Sequence, residues 1–144
     1  MNNNIKEMTQ EEKELLLKDL CARLPYGVKV TVNQSELQNY DYKWKNWSFD
    51  EEPQEIDGVS IYGVTFGCMD MSDGVIGFEF IKPYLFPLSS MTEEQEKEYL
   101  CTCNGYCTYY WTEETFDWLL KNHFDYRNLI PKGLANDATN LNIY

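Results

Sequence analysis

Hydrophobic residues at helical spacing predict the first element of the chain. Leucines recur every fourth residue from Leu16 to Leu24, which places them along one face of a helix. Thr9 and Glu12 have the spacing of a capping box, and Pro25 ends the periodic pattern. The pattern predicts a helix near residues 10–24.

Two further helices are predicted in the second half of the chain, near residues 93–100 and 113–123. Thr92 and Gln95 form a second capping box, and Thr112 caps the third helix. One face of the third helix is defined by residues at positions i, i+3, i+4 and i+7, which are Phe116, Leu119, Leu120 and His123.

Strand signals fill the region between the first two helices. Alternation at period two predicts strands over Val28–Val32 and Tyr40–Trp44, with the connection from Asn33 to Gln38 between them. Val59–Phe66 is apolar on both faces, which predicts a central buried strand. Further strand predictions are a returning strand at 75–81 after the turn at 72–74, and a candidate edge strand near 106–111.

The stretch Ile81–Leu100 is the predicted boundary between sheet and helices. Pro83 cannot donate a ladder hydrogen bond, so strand pairing is expected to stop there. The residues from Tyr84 to Leu88 are expected to run in extended form, with the side chains of Tyr84, Leu85 and Leu88 buried. Thr92 then begins the next helix.

These elements predict an α+β fold. The expected sheet is small, bent and antiparallel, with four or five strands, and its glycines would let it curl toward a barrel. About three helices pack against it. The length of 144 residues fits one domain over residues 1–144, in which residues 1–8 and 136–144 are expected to be flexible tails.

Charge narrows the classes of partner. The chain has 12 basic and 24 acidic residues and a net charge of −12, which repels phosphate backbones and anionic membrane surfaces. We therefore expect no direct binding to nucleic acid or membranes. The first ten residues lack the regions of a secretory signal, and the five cysteines are odd in number, so a cytoplasmic protein with reduced thiols is predicted.

Candidate metal ligands occur late in the chain at Cys101, Cys103, Cys107 and His123. Their first two gaps are one and three residues, and no second Cys-x-x-Cys pair completes the set, so the spacing is not typical of zinc. Small residues on an edge strand together with a packed histidine are the favoured interpretation. His123 is also the one histidine that could act as a general base. We predict no catalytic residue, no metal and no cofactor.

Aromatic residues are the main indication of an interaction surface. The candidate interaction residues alternate along the predicted second strand and just after it, and they are Tyr40, Tyr42, Trp44 and Trp47. Rings at period two pack in a core or, if that face of the sheet is open, form a docking surface; the pattern favours a core. The same question applies to Tyr106, Tyr109, Tyr110 and Trp111.

Three segments carry a resemblance to a known group of proteins: EEKELLLKDLCARLPYGVKV (Glu11–Val30), IKPYLFPLSSMTEEQ (Ile81–Gln95) and NHFDYRNLIPKGLANDATNLNIY (Asn122–Tyr144). They resemble an uncharacterised family of small proteins encoded in Bacteroidetes genomes and their phages or mobile elements. That family has no assigned activity. The resemblance therefore implies a bacterial or phage cytoplasmic protein and assigns no catalytic or binding residue.

Three functional hypotheses follow from these observations. The leading one is a non-enzymatic protein-binding or accessory protein of a bacterial or phage system, with an unidentified protein partner. The second is an acidic inhibitor that mimics nucleic acid and blocks a defence or nucleic-acid-binding protein, which requires negative charge clustered on one face. The third is a small thiol- or metal-dependent enzyme, which requires His123 and the cysteines to converge.

Overall fold

The computed structural model describes residues 7–40, 44, 49, 52–67, 69, 73–103 and 111–144. The chain divides by its internal contacts into two compact units, Met1–Lys82 and Pro83–Tyr144. In the described ranges, none of the helices combines the length and the apolar content needed to cross a membrane. The prediction of one domain over the whole chain stays a prediction.

The structure confirms the α+β class. The α-helices of the described residues are α1 (Gln10–Arg23), α2 (Gln34–Tyr40), α3 (Glu93–Thr102) and α4 (Glu113–Lys121). Their strands are β1 (Lys29–Val32), β2 (Gln54–Ser60), β3 (Gly63–Phe66), β4 (Ile81–Pro87), β5 (Phe124–Asp125) and β6 (Asn136–Asp137). The three predicted helices are confirmed as α1, α3 and α4, whereas α2 was not expected.

Helix α1 begins at the predicted cap. The Thr9 hydroxyl accepts the backbone N–H of Glu12 at 3.1 Å, and the apolar face of the helix buries Leu16 and Leu20 completely. The same face also buries an ion pair, in which the Arg23 Nε donates to the Asp19 carboxylate at 2.6 Å. Pairing offsets the large desolvation cost of these charges, and removal of one partner would leave the other charge buried.

Helix α2 occupies the predicted connection and reaches Tyr40, the first residue of the strand predicted over Tyr40–Trp44; residues 41–43 lie outside the described residues. The Asn33 side chain accepts the backbone N–H of Glu36 at 3.3 Å, which begins a helix that buries Leu37 and ends at Tyr40. The alternation prediction was wrong at Tyr40 because a local cap and one buried leucine favour helix there. Tyr42 lies outside the described residues.

Strands β1, β2 and β3 form an antiparallel part of the sheet in the first unit. Lys29 of β1 lies opposite Glu55 of β2, and Ser60 of β2 lies opposite Gly63 of β3, with a register shift between Ile56 and Gly58. The prediction of one strand over Val59–Phe66 was wrong, since the chain reverses there at Ile61 and Tyr62.

The returning strand predicted at 75–81 is only partly formed. Ile76 makes an isolated antiparallel bridge to Val64, and a 3-10 turn at Phe78–Phe80 interrupts the run before β4. Gly63 has a φ of +155°, and a Cβ at this position would collide with the carbonyl oxygen of Ile76. Glycine therefore permits the close approach of backbone at this bridge.

Strand β4 corrects the prediction that pairing stops at Pro83. It runs from Ile81 to Pro87, because the ladder uses other donors: the N–H of Phe86 reaches the His123 carbonyl at 2.9 Å. Of the residues expected to be buried, Leu85 is buried, Tyr84 is half-buried, and Leu88 is 37% exposed at the start of a short 3-10 turn.

The second unit contains the parallel part of the sheet. Phe86 of β4 lies opposite Phe124 of β5, and Tyr84 of β4 lies opposite Asn136 of β6. The sheet was expected to be antiparallel and free to curl toward a barrel, whereas the described strands form a mixed, open sheet. Parallel pairing requires a long crossover, which the segment containing α3 and α4 provides between β4 and β5.

The last residues of the chain also belong to the second unit. The N–H of Ala138, which is fully buried, donates to the Leu85 carbonyl at 2.8 Å. The Tyr144 hydroxyl donates to the Tyr84 carbonyl at 2.9 Å. Residues 136–144, expected to be a flexible tail, thus contain β6 and two hydrogen bonds to β4.

Candidate functional site

Two capped helices, α3 and α4, carry many of the aromatic residues of the second unit. The Thr92 hydroxyl accepts the backbone N–H of Gln95 at 3.1 Å, and the Thr112 hydroxyl accepts that of Thr115 at 3.3 Å. Both caps were predicted from the sequence and are confirmed. They satisfy N–H groups that have no partner within the helix, so the first turns and their side chains are held in defined positions.

The end of α3 is hydrogen-bonded to the start of α4. The Thr102 carbonyl oxygen accepts from the hydroxyls of Thr112 at 3.1 Å and Thr115 at 3.2 Å. Cys103 is buried beside this junction, with its Sγ 3.9 Å from the Thr115 hydroxyl oxygen. Since terminal helix carbonyls need partners outside their own helix, the junction fixes the two helices against each other.

Trp111 directly precedes the cap of α4 and is held against α3 by Tyr99. Its indole Nε1 donates to the Tyr99 hydroxyl at 2.6 Å, and the two rings meet edge to face at 88°. Burial raises the pKa of the Tyr99 phenol above its ordinary value of 10.0, and the hydrogen bond from Trp111 opposes part of this rise. The phenol is therefore neutral at physiological pH.

Three rings form what we call the aromatic triad: Trp111, Phe116 and Tyr126. The centroid of the Phe116 ring lies 5.4 Å from those of Trp111 and Tyr126, and the Trp111 and Tyr126 centroids are 5.9 Å apart. The ring planes are inclined by 65–83°, the edge-to-face arrangement that aromatic pairs prefer. Phe116 is 38% exposed and the other two rings are half-buried, so the triad reaches the surface.

A tight turn after β5 positions Tyr126. The buried carboxylate of Asp125 accepts the backbone N–H groups of Leu129 and Ile130, each at 2.9 Å, which closes the turn. Within the turn, the Arg127 guanidinium lies 4.9 Å from the centre of the Tyr126 ring, and its Nη2 donates to the Tyr126 hydroxyl at 3.0 Å. One ring of the triad thus already holds a guanidinium by a cation–π contact.

Acidic side chains surround Phe116 on α4. Glu113 lies one helical turn before Phe116, Asp117 directly follows it, and both are exposed, as is Glu114. Negative side chains in the first turn interact favourably with the positive end of the helix dipole, so Glu113 and Glu114 also stabilise α4. The surface around the triad is therefore both aromatic and acidic.

Other rings of the second unit contact one another beside the triad. Trp118 stacks on the buried ring of Phe124 with 5.5 Å between centroids, and its Nε1 donates to the Glu98 carboxylate at 3.1 Å. His123 stacks on Tyr144, with 3.5 Å between centroids and 9° between planes. Trp118 is linked to the triad through Tyr99, whose ring centroid lies 6.0 Å from that of Trp118 and 6.4 Å from that of Trp111.

The predicted metal candidates occupy different environments. Cys101 is exposed on α3, Cys103 is buried at the junction with α4, and His123 is buried two residues after the end of α4 with a φ of +62°. Cys107 lies outside the described residues. Within the described ranges, no group of three or more histidine, cysteine, aspartate and glutamate side chains is arranged to hold a metal ion.

The predicted interaction residues do not form a single run of exposed rings in the structure. Tyr40 ends α2, is 74% exposed and has its ring 5.3 Å from that of Phe80. Trp44 is only 3% exposed and packs near Phe49. Tyr42 and Trp47 lie outside the described residues, so the proposed role of the four residues stays a prediction.

The sequence pattern did not single out the triad. Phe116 was assigned to one face of the third helix together with Leu119 and Leu120; these two leucines are buried, whereas Phe116 is 38% exposed. No pattern along the sequence brings Tyr126 next to Trp111 or Phe116. The available signal was the position of Trp111 directly before a capping threonine, which fixes a large ring at the start of a helix.

No protein-family model, curated protein or solved structure matches this chain. The function is therefore argued from the geometry of the described residues.

Proposed function

We propose that this chain is a non-enzymatic binding or accessory protein of a bacterial or phage system, and that it contacts another protein through the aromatic triad. The observation that supports this proposal is three edge-to-face rings at the surface, held by capped helix α4 and by the turn that Asp125 closes. The assignment to a bacterial or phage cytoplasm rests on the resemblance of the three sequence segments.

Physical properties of aromatic side chains favour this role. Tryptophan and tyrosine are enriched among the few residues that dominate binding energy at protein interfaces. They offer a large contact area with only two side-chain torsions, so little conformational entropy is lost on binding. In the triad these torsions are already restricted by ring contacts and by the hydrogen bond from Trp111 to Tyr99, which further lowers the entropic cost.

Affinity capture with matched variants tests this proposal. The bait is the full chain as wild type, as Phe116→Asp and as Tyr62→Asp, and the lysate comes from a bacterium that encodes the chain. Tyr62 is a suitable control because it is an aromatic residue of the first unit that is 75% exposed. We expect one protein, identified by mass spectrometry, to bind wild type and Tyr62→Asp but to lose about tenfold or more in affinity for Phe116→Asp.

Purified components decide the result. The captured protein must bind the purified wild-type chain directly, and circular dichroism must show that Phe116→Asp retains the wild-type fold. A partner that binds folded Phe116→Asp as well as wild type would overturn the proposal, and so would the recovery of no partner that depends on the triad.

The acidic-mimic hypothesis is a second candidate because α3 and α4 both begin with acidic residues. The exposed acids of the first turns include Glu93, Glu94, Glu113 and Glu114. This candidate requires double-stranded DNA to compete with the chain for the captured partner. Replacement of these four residues by glutamine should then abolish binding, whereas Phe116→Leu should leave it unchanged; the opposite pattern would favour the triad.

A further inference from the structure

We infer that the triad and its neighbouring acids bind an arginine-bearing segment of the partner protein, with a guanidinium stacked on the rings. The acidic–aromatic surface is defined by Trp111, Phe116, Tyr126, Glu113, Glu114 and Asp117. This inference rests on the proposed function and adds the chemistry of the partner.

Charge complementarity is the first argument. Helix α4 displays three exposed carboxylates, and only Lys121 in its last turn opposes them along the helix. The whole chain has a net charge of −12, so its field attracts basic segments from a distance and repels phosphate and anionic lipid. A basic peptide segment is therefore the favoured occupant of this surface.

The internal contact of Arg127 is the second argument. Its guanidinium lies over the Tyr126 ring at 4.9 Å and donates to the hydroxyl of the same residue. This contact shows that a ring of the triad can hold a guanidinium by its face and its polar edge together. Beside it, Phe116 is 38% exposed and brings a further ring to the surface, and the half-buried Trp111 is of the residue type that makes the best cation–π partner.

The geometry of the surface favours arginine over lysine. The ring planes are steeply inclined to one another, so a planar guanidinium that stacks on one ring directs its N–H groups toward the neighbouring groups. Around Phe116 those neighbours include Glu113 and Asp117, whose carboxylates accept such donors. An ammonium group is a strongly hydrated point charge without a stacking face, so it gains less from the same surface.

Synthetic peptides test the inference without knowledge of the partner. The probes are nona-arginine, nona-lysine and nona-citrulline. Arginine has both a positive charge and a planar group, lysine has only the charge, and citrulline has a similar planar group without the charge. Binding to the full chain is measured by titration calorimetry near physiological salt. We expect nona-arginine to bind about tenfold tighter than nona-lysine, and nona-citrulline to bind weakest because it lacks the charge.

Three variants assign the binding to this surface. Phe116→Leu keeps an apolar helix former but removes one aromatic face. We expect it to weaken the binding of nona-arginine about fivefold and the binding of nona-lysine less than twofold. The double variant Glu113→Gln, Glu114→Gln should weaken the binding of both peptides about fivefold. The charge-matched control is Glu11→Gln with Glu14→Gln on exposed positions of α1, for which we expect a change of less than twofold.

Several outcomes would overturn the inference. Equal affinities for nona-arginine and nona-lysine, or equal losses in the α1 and α4 charge variants, would show binding by net charge alone. A wild-type chain that light scattering shows to be dimeric, with Phe116→Leu monomeric, would assign the surface to a second copy. A triad-dependent partner without arginine at the contact would overturn this inference and leave the proposed function intact, whereas the absence of any triad-dependent partner would overturn the proposed function.

Discussion

Two clusters of aromatic residues with similar ring spacing differ in their exposure. In the first unit, the ring centroid of Phe49 lies 6.5 Å from that of Trp44 and 5.5 Å from that of Phe66, and all three residues are at most 9% exposed. In the second unit, the triad has centroid distances of 5.4–5.9 Å, but Phe116 is 38% exposed. Ring contact alone therefore does not distinguish a core from a surface.

The difference lies in what surrounds each cluster. Phe66 belongs to β3 in the antiparallel part of the sheet, where alternate side chains point into the core. Phe116 lies on the same face of α4 as the buried Leu119 and Leu120, one turn nearer the start of the helix, but it is exposed and stands next to the exposed Asp117. The buried cluster should therefore act on stability and the triad on binding, and the predictions below test this division.

The largest expected effect is the loss of a buried ring in the first unit. Phe66→Ala should lower the free energy of unfolding by about 3–5 kcal/mol, because it removes buried apolar area and leaves a cavity beside Phe49. Urea denaturation followed by tryptophan fluorescence measures this change. A loss below about 1 kcal/mol would contradict the assignment of this cluster to the core.

A smaller effect is expected from the cap that positions the triad. Thr112→Ala removes the acceptor for the Thr115 N–H and the donor to the Thr102 carbonyl, and should cost about 0.5–2 kcal/mol. It should also weaken partner binding, because the first turn of α4 then frays. Thr9→Ala is the matched control, since it removes an equivalent cap from α1 in the first unit; equal effects of both variants on binding would contradict this prediction.

Alkaline pH should destabilise the fold at Tyr99, because burial disfavours the ionised phenol. The pKa of Tyr99 is raised by burial, so the native state favours the neutral phenol. The stability from this difference is fully present below the unfolded-state pKa near 10 and is lost as the pH rises through the higher native pKa. Unfolding measured across this range should show the loss in wild type but less of it in Tyr99→Phe; an identical pH dependence would show that Tyr99 is not its source.

The smallest expected effect on stability is at the surface of the triad. Phe116→Leu should change the free energy of unfolding by less than about 1 kcal/mol, because the side chain is partly exposed and leucine is a good helix former. The same variant should reduce partner binding, as argued above. A stability loss as large as that of Phe66→Ala would mean that the triad belongs to the hydrophobic core. It would contradict the division between a stabilising cluster and a binding cluster.

Part of the fold could be predicted because its causes are local. The caps at Thr9, Thr92 and Thr112 involve residues three positions apart, so spacing alone identifies them. The cap that begins the unexpected helix α2 is also local. The prediction there followed the period-two run of aromatic residues and not the cap at Asn33. At Tyr40 the alternation predicted strand where the structure has helix.

Other parts could not be predicted because their partners are distant in the chain. Strands β5 and β6 are two residues each and exist only through pairing with β4, which no local pattern reports. The pairing of β4 beyond Pro83 depends on which N–H groups face a neighbouring strand. Within the candidate site, Trp111 precedes α4 and Tyr126 follows it, so only the tertiary structure brings the two rings together.

The sequence by itself determined the α+β class, the starts of three helices and the acidic charge. These follow from hydrogen bonds between near neighbours, from the spacing of apolar residues and from composition. Tertiary structure alone decided that Trp44 is buried and that Phe116 is exposed, although both are large apolar side chains. The physical reason is that burial depends on which distant segments pack over a ring, and no periodicity within one segment carries that information.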